Sequence, residues 1–409
     1  MITVVSDNII SSLGFSTEEN FNCMKQGISG LAYYDNRFDL PEPFVASMIN
    51  EERLEEKFDA LQKEKYLKGS SPADDPLSDC KELYDDLEVE RFLYTKLEKA
   101  AILSAAEALK KTDIDPASKK VLFILSTTKG NIFVLDKHHN EGYPHHRTSL
   151  TLSAEFICEY FDNFTPPIVI SNACISGANA IIAAQRALLS RKYKYVVVIG
   201  VDMLSRFIIS GFQSFKALSQ SECKPFDEKR DGLNIGEAAA TIILTNKRKS
   251  ELQPGDVVLH AGAIRNDANH ISGPSRTGEG ACRALKNICS DININELAFI
   301  NAHGTATPYN DEMEAVAITR AGLQHVPVTC LKGYFGHTLG AAGVIESIIT
   351  TRSLKERLVL KTLGFKTSGV SHQLQIVTQT QPITQSSCIN MLSGFGGCNA
   401  ALLYTLIRS

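Results

Sequence analysis

The strongest constraint on the fold is an order of segments that occurs twice along the chain. Short β-rich runs alternate with helical patterns: VLFILS, PPIVIS, YVVVIG and AATIILT, then ELAFINA, VPVTCL and SCINML. Such alternation predicts an α/β fold with largely buried strands. VLFILSTTKG (121–130) matches LAFINAHGTA (297–306) as a strand running into a Thr/Gly loop. PPIVISNACISGANAIIAA (166–184) matches VPVTCLKGYFGHTLGAAGVIESI (326–348) as strand, polar loop and a helix of small residues. YVVVIGVDMLS (195–205) matches SCINMLSGFGG (387–397) in the same way. The period is too long for a solenoid. It predicts two pseudo-equivalent halves, 1–250 and 251–409, joined near the charged Pro-Gly segment NKRKSELQPGD.

Composition narrows the class of partner. A net charge of −4 gives no general attraction for nucleic acid or anionic membrane. No run of about 18 apolar residues occurs, so no membrane insertion is expected. The opening MITVVSDNIISSLG has no cationic stretch, which predicts no secretion signal. The ten cysteines show no C-x-x-C and no paired spacing, pointing to reduced thiols and a cytoplasmic setting. The sequon at Asn163 is then read as chance. Residues 41–90 break the repeat, and the charged part from 50 onward reads as a solvated helical insertion. Lys63, Lys65 and Lys68 make a docking surface its sharper alternative.

Three loops carry the chemistry. Cys174 stands where an extended apolar run becomes a helix of small residues. A cysteine there is either a small buried hydrophobe or a nucleophile whose thiolate the helix N-terminus favours, with burial acting in the opposite direction. His303, in NAHGTATPYND, ends an apolar strand and enters a Gly/Thr turn. His337, in LKGYFGHTLGAAGVIE, precedes a Gly/Ala-rich helix. Each histidine alone suits a structural role. Together the three sit at the C-terminal ends of expected strands, the edge where α/β sheets build sites. Cys174 and His337 occupy matching positions in the two halves. A cysteine with two histidines and no metal-ligand spacing is a set for covalent catalysis, so no metal is expected.

Four ordered motifs, PFDEKRDGLNIGEAAA (225–240), NAHGTATPYND, LKGYFGHTLGAAG and SGFGGCNAAL (393–402), together with SSLGFSTEENFNCMKQGISGL (11–31), resemble the β-ketoacyl-[acyl-carrier-protein] synthases of the condensing-enzyme (thiolase) superfamily. The resemblance is greatest to the I/II type with two histidines. It implies a five-layered αβαβα fold and a decarboxylating Claisen condensation. Cys174 would accept an acyl chain from a carrier-protein thioester, and His303 and His337 would donate N–H groups to the malonyl thioester. The backbone N–H groups of Cys174 and Phe395 would hold an oxyanion, with Phe395 gating the acyl pocket. Lys332 matches the family lysine that supports the histidines, and Asp311 and Glu346 match its outer carboxylates, although ordinary salt bridging explains those two equally. His270, Ser272, Thr305 and Thr307 would touch the substrate arm, and Lys216 would meet the acidic carrier protein.

The resemblance implies no cofactor, and GFGG with Asn399 at the final position does not complete a nucleotide-binding GxGxxG. It implies a dimer through the strand in PPIVIS, with an identical or a ketosynthase-like mate. HHNEGYPHHR lacks regular ligand spacing, and RKYK reads as a basic helix end. Lys129, Met391-Leu392-Ser393 before GFGG, and the segment 360–380 depart from the fatty-acid pattern and point to specialised synthesis, such as aryl polyenes or a type II polyketide-like pigment. Other readings are a non-catalytic chain-length partner, which would lack the nucleophile, and a thiolase, which would need a second cysteine in C-x-G. Intact His337 disfavours a starter-type Cys-His-Asn enzyme.

Overall fold

The computed structural model describes residues 1–68, 94–140, 142–271 and 273–408. Eleven strands form one sheet. Five belong to the first half: β1 (Ile2–Ile10), β2 (Val121–Ser126), β3 (Ile168–Ile170), β4 (Tyr195–Asp202) and β5 (Ala238–Asn246). Six belong to the second: β6 (Val257–Asn266), β7 (Leu297–Asn301), β8 (Pro327–Thr329), β9 (Gln375–Ile376), β10 (Ser387–Gly394) and β11 (Cys398–Leu406). The first half runs β3-β2-β4-β5-β1 and the second β9-β8-β7-β10-β11-β6. Apart from the added β9, the second order repeats the first, strand for strand. The repeat in the sequence is therefore a repeat in space. The halves meet where β1 pairs antiparallel with β6, Ile2 opposite Leu259 and Thr3 opposite Val258.

The pleat sorts each strand's side chains into layers. Leu122 and Ile124 of β2 face a central core, while Val121, Phe123 and Leu125 face an outer one. Likewise Cys388 and Leu392 of β10 face the central core, whereas Ile389 and Met391 face a second outer core. Helices Lys96–Leu109 and Leu150–Tyr160 cover the outside of the first half. Glu279–Ile288 and Pro308–Arg320 cover the outside of the second. Two helices fill the middle, Ser176–Leu189 and Ala342–Lys355. Counting across, with each half of the sheet as one layer, the order is helix, sheet, helix, sheet, helix.

The middle helices lie nearly in contact because each carries a glycine at the crossing. A Cβ on Gly343 would come within 2.2 Å of the Ala178 nitrogen, and one on Gly177 within 2.7 Å of the Val344 nitrogen. The small residues after Cys174 thus bring its helix against the one following His337.

The charged insertion differs from its expected form. Residues Glu51–Lys68 are helical, but Leu54, Phe58 and Leu61 are buried in the outer core of the first half. Their spacing makes one apolar stripe, so the helix is amphipathic rather than wholly solvated. Lys65 donates to the Tyr160 carbonyl and pairs with Asp162 at 3.3 Å, which ties it to the chain itself. Residues 69–93 and the Lys68 side chain, part of that expectation, lie outside the described residues. Among the described residues no helix is long and apolar enough to cross a membrane.

Candidate active site

Cys174 sits on an elbow between β3 and the helix Ser176–Leu189. Ala173 takes a left-handed φ of 46°, an unfavourable conformation for a residue with a Cβ. Ser176 pins the turn by donating its hydroxyl to the Ala173 carbonyl and accepting the Asn172 N–H. Cys174 is left 9 % exposed at the base of a pocket of about 470 Å³. Gly394 closes on the elbow from the other half, since a Cβ there would lie 3.2 Å from the Cys174 nitrogen. The Phe395 backbone N–H points at the thiol and, with Lys332, favours the thiolate. Burial outweighs them and pushes the Cys174 thiol up to about 12. Of the two opposing effects expected at this position, burial prevails over the helix N-terminus, because desolvation disfavours the charged form more than the helix end favours it.

His303 follows β7, and His337 follows the short helix Lys332–Phe335, on a loop that reaches Ala342 through a 3-10 turn. The rings meet edge to face, with centroids 4.9 Å apart. One ligand-type atom from each of Cys174, His303 and His337 lies within 4.8 Å of the others. Each Nδ1 faces a donor. The Leu339 backbone N–H donates to His337 Nδ1 at 3.2 Å, and the Lys332 ammonium approaches His303 Nδ1 at 3.4 Å. A neutral imidazole that accepts at Nδ1 carries its proton on Nε2. Burial first, and the positive charge of Lys332 next, hold both rings well below the usual histidine pKa, hence neutral. His337 Nε2 is buried with no hydrogen-bond partner. The site therefore presents N–H donors to its pocket, and a metal, which needs lone pairs on those nitrogens, does not fit.

Lys332 is buried and forms an ion pair with Glu346, whose carboxylate also accepts from Asn301. Burial alone would lower the ammonium's pKa; Glu346 reverses this and keeps it above its ordinary value, so it is charged. Asp311 lies outside the pocket and accepts the Phe226 and Ala306 N–H groups, joining the PFDEKR loop to the His303 loop. Its carboxyl is raised by burial to about 6.

Two carboxylates escaped the sequence reading. Glu314 accepts the His303 and Gly304 N–H groups, each at 2.7 Å, and so fixes the backbone that carries His303. It lies three residues after Asp311 on helix Pro308–Arg320, and that helical spacing was the available signal. Asp202, at the end of β4, binds Thr127, Thr128 and the Gly340 N–H, locking the loop after β2 to the one after His337.

Phe395 stands at the pocket mouth, 39 % exposed, its ring against Phe212 and Phe215 at 6.1 and 5.8 Å. Lys216, His270, Thr305 and Thr307 line the pocket, and the two threonine hydroxyls lie 2.8 Å apart. Ser272 lies outside the described residues.

Two family models match the chain. "Beta-ketoacyl synthase, N-terminal domain" covers residues 93–250, and "Beta-ketoacyl synthase, C-terminal domain" covers 257–366. The chain belongs to the β-ketoacyl synthase family. Its curated relatives include the 3-oxoacyl-[acyl-carrier-protein] synthase 2 of Vibrio harveyi, 31% identical over 258 residues, which are 59% of this chain and 62% of that protein. The match thus spans less than two thirds of the relative. Among solved structures, a chain of the complex between a ketosynthase and its chain length factor from Xenorhabdus doucetiae aligns with a TM-score of 0.82 and 22% identity. It covers 99% of this chain and 98% of that one. A type II PKS acyl-carrier protein in complex with its ketosynthase gives a TM-score of 0.79 at 18% identity, covering 100% and 99%. The fold is that of the thiolase-like ketosynthases.

Proposed function

We propose that the chain is a β-ketoacyl-acyl carrier protein synthase that condenses an acyl thioester with malonyl-acyl carrier protein. The observation that carries the reading is the unpartnered His337 Nε2, its tautomer set by the Leu339 N–H, facing the same pocket as His303 and Cys174. Two neutral N–H donors suit a thioester oxygen that gains negative charge as CO2 departs.

Acyl transfer starts from the protonated thiol. Cys174 Sγ attacks the carrier thioester, and its proton leaves with the carrier's sulfur, so exchange of one thioester for another consumes no base. The N–H groups of Phe395 and Cys174 hold the oxyanion of this step. Malonyl thioester then loses CO2, the enolate held by His303 and His337 attacks the acyl-enzyme carbonyl, and the Cys174–acyl bond breaks. One proton from solvent restores the thiol. Lys332 acts as a positioning residue, since it faces His303 Nδ1 and not the pocket. Glu346 and Asp311 act through the groups they hold. Phe395 gates the pocket, with His270, Ser272, Thr305 and Thr307 along the substrate arm.

The partners would be acyl- and malonyl-loaded carrier protein, met near Lys216, and an identical or ketosynthase-like subunit across β3. The two named complexes of similar fold contain partners of these kinds. Specialised polyene or polyketide synthesis in the cytoplasm fits the sequence departures and the free cysteines among the described residues. Incubation with acyl-carrier protein should add one acyl mass to Cys174, and Cys174→Ala should abolish both adduct and condensation. Condensation that survives through an adduct on another thiol would overturn the assignment.

A further inference from the structure

β7 and β10 lie side by side in parallel, with Asn301 opposite Asn390. Both side chains point into the central core, to which Phe299, Cys388 and Leu392, two residues away on the same strands, belong. Both asparagines are fully buried. An amide at such a place is costly unless its hydrogen bonds are made, and an apolar pair of the same volume would pack there without that cost.

The bonds around the two amides run in one direction. The Ser347 hydroxyl donates to the Gly343 carbonyl at 2.6 Å, so its oxygen is left to accept. It accepts from Asn390 Nδ2 at 3.1 Å, which turns the Asn390 carbonyl towards Asn301. Asn301 Nδ2 donates to that carbonyl at 2.8 Å and to Glu346 Oε2 at 3.2 Å. With the single Ser347 proton committed, turning either amide over would set two acceptors face to face. The arrangement leaves Asn301 Oδ1 buried without a hydrogen-bond partner, a penalty that sheet packing alone does not explain.

The far end of this chain of donors is the active site. Glu346 forms the ion pair with Lys332, and the Lys332 ammonium faces His303 Nδ1 at 3.4 Å. Burial raises the Glu346 carboxyl, while Lys332 and the Asn301 amide act against burial. We propose that Asn301 and Asn390 are positioning residues for the malonyl half of the reaction: as a pair they orient Glu346, and through Lys332 they keep the His303 proton on Nε2, facing the pocket. Neither touches substrate. The role presupposes the condensation chemistry proposed above.

Asn390→Leu keeps the volume and removes both bonds. It should slow malonyl decarboxylation about tenfold, the effect of one buried hydrogen bond left unmade. Acylation of Cys174, which relies on the Phe395 and Cys174 N–H groups, should keep its rate. Asn390→Asp is the conservative variant, since its neutral carboxyl offers a carbonyl to Asn301 and a hydroxyl to Ser347. Its decarboxylation should be near that of the unaltered chain at the acid end and fall about tenfold as the carboxyl ionises beside Glu346. Of the other titratable groups on the elements packed here, Cys388 and Tyr404 are held protonated by burial, and His303 is held neutral, so none of them supplies that loss. Melting curves establish that both variants fold. Nitrogen NMR of the histidine rings in the free protein should show the His303 proton on Nε2, and a share of it moved to Nδ1 in Asn390→Leu. Equal losses of acylation and decarboxylation, unaltered rates in Asn390→Leu, an Asn390→Asp no better than Asn390→Leu at any pH, or an unresponsive His303 tautomer would each overturn the proposal. If the unaltered chain neither acylates Cys174 nor decarboxylates the malonyl thioester, the condensation reading fails instead, and the ring nitrogens still decide whether the two amides set the tautomer.

Discussion

Glu314 shows how a residue that touches no substrate can set the pH response of the His303 loop. Burial, together with the negative charge of Asp311, pushes its carboxyl up to about 8, against the pull of the His303 and Gly304 amides. A folded-state pKa above the unfolded value means the native chain holds a proton the unfolded chain has lost. The associated stability is complete below about 4.5 and disappears as pH rises towards 8. Asp311 acts in the same sense over a lower window, between about 4 and 6. His303 and His337 act oppositely, since burial keeps them neutral when the unfolded chain begins to protonate below about 6.5. Melting temperature should therefore decline on the alkaline side between pH 6.5 and 8.5, and Glu314→Gln should flatten that decline. Gln also loses one acceptor, so the slope, not the level, is the diagnostic. An unchanged slope in the variant would show that Glu314 is ionised throughout. Glu314 and Asp202 were hard to read from sequence because their partners are backbone amides of loops that only the tertiary fold brings near. Cys174 and His303 were legible as candidates because each follows an apolar strand at a polar turn, and His337 because it precedes a helix of small residues, although the short helix Lys332–Phe335 separates it from its strand. The direction of the Cys174 pKa shift stayed open in the sequence because the helix end is visible there, whereas the depth of burial is not.

At the scale of elements, the site depends on how closely the two middle helices cross. The nearest atoms to a Cβ on Gly343 are backbone, Ala178 N at 2.2 Å and the Gly177 carbonyl carbon at 2.7 Å, so no side chain can swing aside. Gly343→Ala must separate the helices, and overpacking of this kind costs roughly 1–3 kcal/mol, or more where backbone has to move. Helix Ser176–Leu189 carries the Cys174 elbow at its N-terminus, and helix Ala342–Lys355 follows the loop of His337. Separation therefore changes the distance between nucleophile and donor as well as the stability. The expected result is a lower melting temperature together with slower acyl transfer and slower condensation, measured at a temperature where the variant is folded. Wild-type rates with only a lower melting temperature would mean that the crossing supports the fold without setting the site. The stripe of small residues in both segments was readable as close packing. A cavity of about 820 Å³ lined by Phe38, Leu97, Ile132 and Arg206 was not, because these residues lie far apart in the chain and no local pattern joins them.

The whole molecule repeats one strand order twice, yet the halves do not close their cores separately. Central-core residues come from β2 and β4 on one side, from β10 and β11 on the other, and from both middle helices between them. Each sheet thus covers a face of helices that the other half also needs. The pairing of β1 with β6 adds a backbone connection across the join. The two outer cores are smaller than the central one and lie against single sheets. Taking either half away would expose the central face of the remaining sheet and one side of its middle helix, an apolar area too large to leave in water. The two repeats should therefore unfold as one unit, despite a length at which separate domains are common. Denaturant unfolding followed by far-ultraviolet circular dichroism and by tyrosine fluorescence, available because the chain has 12 Tyr and no Trp, should give coincident transitions. A fragment of residues 1–250 should fail to give a cooperative transition of its own. Two separated transitions, or a fragment that folds alone with a native-like midpoint, would show that the halves are independent domains, and the Cys174 elbow would then owe nothing to the half that carries the histidines.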